Sequence, residues 1–366
     1  MIKYLGSKRA LLPLLCATVR ALDAAEAPVR TVLDVFSGTA RVGHALKSEG
    51  YRVRSNDHNA YAEVLARCHV VADAERVTAD ASRLLAELGQ VAPRAGWFTA
   101  TYAEQARYLH PDNAAKIEGM REQIARWALE PVLEAVLLTA LMEAADRVDS
   151  TVGVQMAYLK AWAPRALRPV ALRLPELLPA SRFGPCEAHR LDALEAAALD
   201  ADVAYLDPPY NQHSYLGNYH VWETLVRWDR PATFGVAHKR IDVQQRRSAF
   251  NSKRQIAAAM QTLVQTVAAE RLVVSFSDEG AVTAAAMAQL LLARGHVQVL
   301  RRGHERYVGS KIGIYDPSGK VVGTPGRSRN VEHVFVVTPS PWTGGAALLA
   351  AGLCDDVVAG EAVADP

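Results

Sequence analysis

Val203-Ala204-Tyr205-Leu206-Asp207-Pro208-Pro209-Tyr210 is the stretch on which the fold turns. Its four leading apolar and aromatic residues read as a buried parallel strand, and open α/β sheets do their chemistry in loops at the carboxyl ends of such strands. The prolines Pro208 and Pro209 remove two backbone donors and stiffen the loop. The Asp207 carboxylate and the Pro208 carbonyl then point outward as acceptors suited to an exocyclic amine. The Tyr210 ring offers a face on which a planar heterocycle can stack. Taken alone, the same tetrapeptide also fits a plain Asp-Pro turn, so its neighbours decide.

Working outward, residues 30–60 read as strand, tight turn, helix, strand: Thr31 to Phe36, Ser37-Gly38-Thr39, Arg41 to Glu49, and Tyr51 to Ser55. Further strands are expected at 272–275, 296–301 and 331–338, with helices over Gln255 to Glu270 and Val282 to Arg294. The pattern predicts an α/β fold: a doubly wound, Rossmann-like sheet with a late antiparallel hairpin. Residues 97–186 carry helical periodicity, clearest over Lys116 to Arg126 and Leu133 to Val148, and then repeated prolines. They read as a mainly helical insertion between catalytic segments 1–96 and 187–340, and 341–366 reads as a flexible tail.

Half of the 366 residues are hydrophobic and 22% are charged, which excludes a disordered chain. The four scattered cysteines form neither a disulfide framework nor a zinc motif, and no histidine spacing suggests a metal. Lys3, Lys8 and Arg9 precede an apolar stretch, but Pro13 inside it and Arg20 after it argue against a signal peptide. No apolar run approaches the roughly 20 residues of a membrane span, so a cytoplasmic protein is expected.

The turn after the first strand, Asp34-Val-Phe36-Ser37-Gly38-Thr39-Ala40, has small residues that let backbone approach a ligand. It lacks both the dinucleotide glycine spacing and the Lys-Ser/Thr of a phosphate loop, which disfavours a dehydrogenase or a nucleotide triphosphatase. Asp34 suits a ligand ammonium group, as in S-adenosylmethionine, and Asp57 at the end of the second strand suits ribose hydroxyls. Taken singly, each acid reads more readily as a helix cap or turn residue.

With Lys3-Tyr4-Leu5-Gly6-Ser7-Lys8, Asp34-Val-Phe-Ser-Gly38 and Asp207-Pro-Pro-Tyr210 in this order, the chain resembles the DNA adenine-N6 methyltransferase family that includes the bacterial deoxyadenosine methylases. The resemblance implies S-adenosyl-L-methionine as cofactor. It places Tyr4, Gly6, Ser7 and Lys8, together with Asp34, Phe36, Ser37, Gly38 and Thr39, at the methionine end. It gives Asp57 the ribose, Asp192 the cofactor adenine, and Asp207, Pro208, Pro209 and Tyr210 the target adenine. The family's Phe-x-Gly-x-Gly departs here to Phe36-Ser-Gly38-Thr-Ala40, so the turn is expected to be less open.

Residues 227–254 hold Arg227, Arg230, Lys239, Arg240, Arg246, Arg247, Lys253 and Arg254 against Asp229 and Asp242, a local +6 in a chain of net charge +2. Beside the catalytic loop, that concentration is the expected footprint of double-stranded DNA, with all of these but Arg230 assigned to phosphate contact. A second basic run, Arg301 to Arg329, contains a Gly-rich turn at Tyr315 to Gly319 that reads as a hairpin near a groove. Cytosine N4, RNA or protein amides stay open as targets of a similar loop, as does a non-catalytic DNA-binding protein on this fold. A cognate restriction endonuclease and the choice between monomer and dimer are not written in these residues.

Overall fold

The structure is a computed structural model that describes residues 1–25, 27–209, 214–277, 280, 282–305, 314–315, 321–323 and 329–364. Among these residues the strands are, in chain order, β1 (Thr31–Asp34), β2 (Arg52–Asn56), β3 (Glu187–His189), β4 (Val203–Leu206), β5 (Thr233–Phe234), β6 (Lys239–Arg240), β7 (Arg271–Ser277), β8 (His296–Glu305), β9 (Ile314–Tyr315), β10 (Val321–Gly323), β11 (Arg329–Thr338) and β12 (Asp356–Ala359). Their contacts divide the chain into two units.

The first unit comprises Met1–Leu12, Arg30–Leu199 and His213–Ser248. In it β1, β2 and β3 run parallel, with Asp34 opposite Ser55 and Asn56 opposite His189. Val32, Leu33 and Val53 are fully buried, as the apolar run of a parallel strand requires. The short strand β3 escapes sequence reading because it is polar. Glu187 joins it to β2 by accepting from Arg52 at 2.5 Å and Arg54 at 3.1 Å.

Residues 97–186 contain no strand, and two 17-residue helices, Pro111–Trp127 and Pro131–Arg147, each begin with proline at the first turn. Their apolar faces close one core. Phe98, Ile117 and Leu141 pack in the same cluster as Leu84 and Leu88 before them and Tyr61, Trp222 and Leu225 outside them. The boundary expected at residue 97 therefore falls inside a continuous core, where truncating a side chain like Trp222 costs about 3–5 kcal/mol.

The second unit comprises Pro13–Val29, Asp200–Gln212 and Ala249–Pro366. Its strands lie in the order β12-β8-β11-β7-β4, with β4 and β7 parallel and the others antiparallel. Parallel strands followed by a late antiparallel pair are the α/β architecture that the sequence pattern implies. The expected flexible tail is corrected: the helix Gly344–Ala350 and β12 follow, and Val357 pairs with Leu300. Its acids disguised it, yet they fasten the edge, Asp355 accepting from the Gly303 N–H at 2.7 Å and Asp356 pairing with Arg301 at 3.3 Å. Among the described residues, no helix is long and apolar enough to cross a membrane.

Candidate functional site

In the first unit, the turn after β1 is shaped by backbone geometry. Gly38 has φ +51°, and a Cβ there would sit 3.1 Å from the Tyr4 ring, so both the backbone conformation and the space favour glycine. Ala40, where the resembled family carries glycine, also adopts a left-handed conformation, φ 58° and ψ 19°. The position explains the usual glycine: alanine holds the same turn at a strain of order 1 kcal/mol. The turn closes through Ala40 N–H to Ser37 O at 2.7 Å and Ser37 N–H to Asn56 O at 2.8 Å.

Asp57 reaches back across this turn. Its Oδ2 accepts from the Gly38 N–H at 3.1 Å and its Oδ1 from the Asn59 N–H at 2.9 Å. Asp34 lies at the end of β1, 1% exposed. Ser37 and Thr39 are buried, Phe36 half-buried, and the Ser37 hydroxyl makes no hydrogen bond within the described residues. Beneath them Asn56, which sequence reasoning missed, donates to Val35 O at 3.1 Å and accepts from the Leu191 N–H at 2.9 Å. One buried amide thus joins the loops after all three parallel strands; its signal was the polar residue directly before Asp57.

The N-terminal segment belongs to the same unit. Tyr4 stacks on Tyr215 and Tyr219 at 5.1 and 4.6 Å and shares a 3.2 Å hydrogen bond with the Tyr61 hydroxyl. Burial pushes the Tyr4 and Tyr61 phenols well above their usual value, with Asp57 adding to both, so both stay neutral. The Leu5 N–H donates to the Tyr219 hydroxyl at 2.7 Å, and Lys3 pairs with Asp149 at 2.9 Å. Gly6 takes φ +70°, Ser7 is exposed and Lys8 is buried at the start of a short 3₁₀ helix.

The donor set fits an adenosyl amino acid: an orphaned buried hydroxyl at Ser37, a glycine cradle at Gly38, a buried acid at Asp34 and a half-buried acid at Asp57. Asp192 fits less well. It is exposed and caps the helix Ala193–Ala196 in a reciprocal capping box with Glu195, which accounts for its carboxylate.

In the second unit, β4 is buried throughout and delivers Asp207 at its carboxyl end. Asp207 Oδ1 accepts from the Ser275 hydroxyl at 2.9 Å, and Ser275 Oγ lies 2.8 Å from the Tyr205 hydroxyl. Tyr205 donating to Ser275, and Ser275 to Asp207, uses each hydrogen once and fixes the orientation of the acid. Pro208 is buried and Pro209 half-buried, while Tyr210 lies outside the described residues. Sequence reasoning placed Ser275 only as the last residue of a strand; a hydroxyl ending an apolar run was its signal.

Comparison with known proteins bears on both parts. Residues 4–277 match the D12 class N6 adenine-specific DNA methyltransferase family. The chain belongs to that family. The Modification methylase LlaI of Lactococcus lactis subsp. lactis is 29% identical over 301 residues, 77% of this chain and 47% of its own length. The Type II methyltransferase M.NlaIII of Neisseria lactamica is 26% identical over 319 residues, 85% of this chain and 93% of its own. M.CviAII of Paramecium bursaria Chlorella virus 1 is 28% identical over 281 residues, 75% of this chain and 83% of its own. The chain thus spans less than half of LlaI but nearly the whole of M.NlaIII.

The basic segment of the chain departs most from its sequence reading. Arg240 is 1% exposed, pairing with Asp229 at 2.7 Å and Asp242 at 3.0 Å. Burial pushes both carboxyls up, yet the Arg240 guanidinium holds them below their usual range. Arg227 joins the same acids at 3.0 Å each. Arg246 pairs with Glu223 at 2.8 Å and donates to His58 O at 2.7 Å. Arg247, Lys253 and Arg254 are exposed and enter no ion pair among the described residues, and Lys239 is half-buried on β6. Of the second basic run, Arg301 and Arg302 are held by Asp356 and Leu353 O, while Arg306, Lys311, Lys320 and Arg327 lie outside the described residues.

Proposed function

We propose that this methyltransferase moves a methyl group from S-adenosyl-L-methionine to the exocyclic N6 of a site-specific adenine in double-stranded DNA, the base being flipped out of the helix. The observation that carries this reading is the Asp207 carboxylate, oriented by Ser275 at the end of a buried strand and followed by two prolines. Such an acid and the Pro208 carbonyl accept the two amine hydrogens. Localising those hydrogens turns the nitrogen lone pair outward. Tyr210 gives the base a stacking face, a contribution of about 1–3 kcal/mol.

Tyr4, Gly6, Ser7, Lys8, Asp34, Phe36, Ser37, Gly38 and Thr39 hold the methionine end of the cofactor in this proposal, and Asp57 accepts the ribose hydroxyls. Asp192 keeps its adenine role only through whatever acceptor capacity its cap leaves. Bound there, the cofactor supplies an electrophilic methyl group on a sulfonium. No strong base is required of the chain, because the amine becomes acidic only as it is methylated, and alignment supplies most of the rate. Among the cations, Lys239, Arg247, Lys253 and Arg254 meet phosphates, while the buried Arg240 and the acid-paired Arg227 and Arg246 serve the chain's own carboxylates. The segment 97–186 stays the proposed target-recognition region, and a cognate restriction endonuclease and a cytoplasmic location remain parts of the proposal.

The roles separate by mutation. Asp207→Ala is expected to lower methyl transfer by roughly 100- to 1000-fold while leaving cofactor binding within a few-fold of the wild type. Ser275→Ala, removing one hydrogen bond to the acid, is expected to cost about tenfold in kcat. Transfer rates with labelled cofactor and equilibrium dialysis without DNA measure both, and near-normal turnover by Asp207→Ala would end the proposal.

A further inference from the structure

Glu223 sits on the helix His220–Arg227 with its side chain 1% exposed, where an ionised carboxylate survives only with partners. Its two oxygens serve different ones. Oε2 accepts from the Tyr61 N–H at 3.1 Å, and Oε1 accepts from Arg246 at 2.8 Å. The other arm of the Arg246 guanidinium donates to His58 O at 2.7 Å. One ion pair therefore grips residues 58 and 61, the two sides of the short loop that follows Asp57.

The Tyr61 N–H belongs to the first turn of the helix Ala60–Ala66, where backbone donors have no partner within the helix. Glu223 satisfies it from another element. The gripped loop has a defined job next door: Asp57 holds the Gly38 N–H, and Tyr61 holds the Tyr4 hydroxyl, so a shift at 58–61 moves both sides of the glycine cradle.

We infer that Glu223 and Arg246 are positioning residues for the ribose-binding acid Asp57, so that cofactor affinity is set from within the basic segment. The inference rests on the proposed cofactor role of Asp57. It reassigns Arg246 from phosphate contact, since both arms of its guanidinium already point at protein acceptors. Asp242 at 3.9 Å from Arg246 and Arg227 at 3.9 Å from Glu223 extend the pair into the network around Arg240.

The test is the dissociation constant for S-adenosyl-L-methionine without DNA, measured by titration calorimetry on wild type, Arg246→Gln and Arg246→Lys, with urea midpoints alongside. Arg246→Gln is expected to weaken cofactor binding about tenfold, the scale of one charge-assisted hydrogen bond, and Arg246→Lys to weaken it less. KM for the cofactor rises in step while kcat at saturating cofactor holds, and the salt slope of DNA affinity stays at the wild-type value. Arg246→Lys carries the comparison if Arg246→Gln does not fold. Wild-type cofactor affinity in both variants, with a salt slope reduced by about one in Arg246→Gln alone, would overturn the inference and restore Arg246 as a phosphate contact. Absence of cofactor binding by the wild type would instead overturn the cofactor reading itself.

Discussion

The turn from Asp34 to Asn59 and the segment from Arg227 to Arg254 were both singled out by sequence, one by residue identity and the other by charge, and they fared differently. In the turn, the motif residues are built into one local structure: Gly38 against the Tyr4 ring, Asp57 across the turn on the Gly38 N–H, Asp34 buried at a strand end. In the basic segment, Arg227, Arg240 and Arg246 are spent on Asp229, Asp242 and Glu223. A positive sum along the chain does not say which charges are already paired. Small acids two to fifteen residues from an arginine, and one buried glutamate from a helix, consumed nearly half of the expected phosphate contacts.

The strongest way to break this contrast is Arg240→Ala. If Arg240 is internal, removing it takes the buried partner from Asp229 and Asp242, leaves them Arg227 at 3.0 Å, and costs up to about 3 kcal/mol of stability, read as a lower urea midpoint. If it contacts DNA, stability holds and only affinity falls.

Acidification probes the ground beneath the two regions. Burial pushes His69 and His220 down to about 3, so both are neutral when folded. A depressed histidine adds stability that is present above its unfolded value near 6.5 and is lost as pH falls toward 3. Asp146 opposes this: burial raises it to about 6, so the folded state gains protons there as pH drops. From pH 7 to pH 5 a net loss of about 2 kcal/mol is expected, and His220→Gln, if it folds, should remove a large part of the slope. A flat profile would contradict the neutral buried imidazoles.

The smallest effect sharpens the contrast from its other side. Replacing Lys253 and Arg254 by glutamine should weaken DNA binding about equally across sequences, lower the salt slope by roughly two, and leave the melting temperature in place. An unchanged slope would move the phosphate contacts elsewhere.

What the sequence made legible follows from range. Strands β1, β4, β7, β8 and β11 declare themselves as apolar runs, and the 207–209 loop as a rigid acceptor pair, because those signals lie within a few residues. The polar strand β3 and the acid-flanked β12 stayed hidden because pairing with distant chain makes them strands. Asn56, Ser275 and Glu223 were missed for the same reason: their partners lie 135, 68 and 162 residues away. Asp192 shows the converse, an acid whose local cap explains it without any ligand.

The most direct test is nucleoside analysis of unmethylated bacterial DNA after incubation with the purified protein and methyl-labelled S-adenosyl-L-methionine. Label confined to N6-methyladenine is the predicted result. Label in N4-methylcytosine, or none in DNA despite intact cofactor binding, would contradict the assignment of Asp207 and Pro208 to an adenine amine.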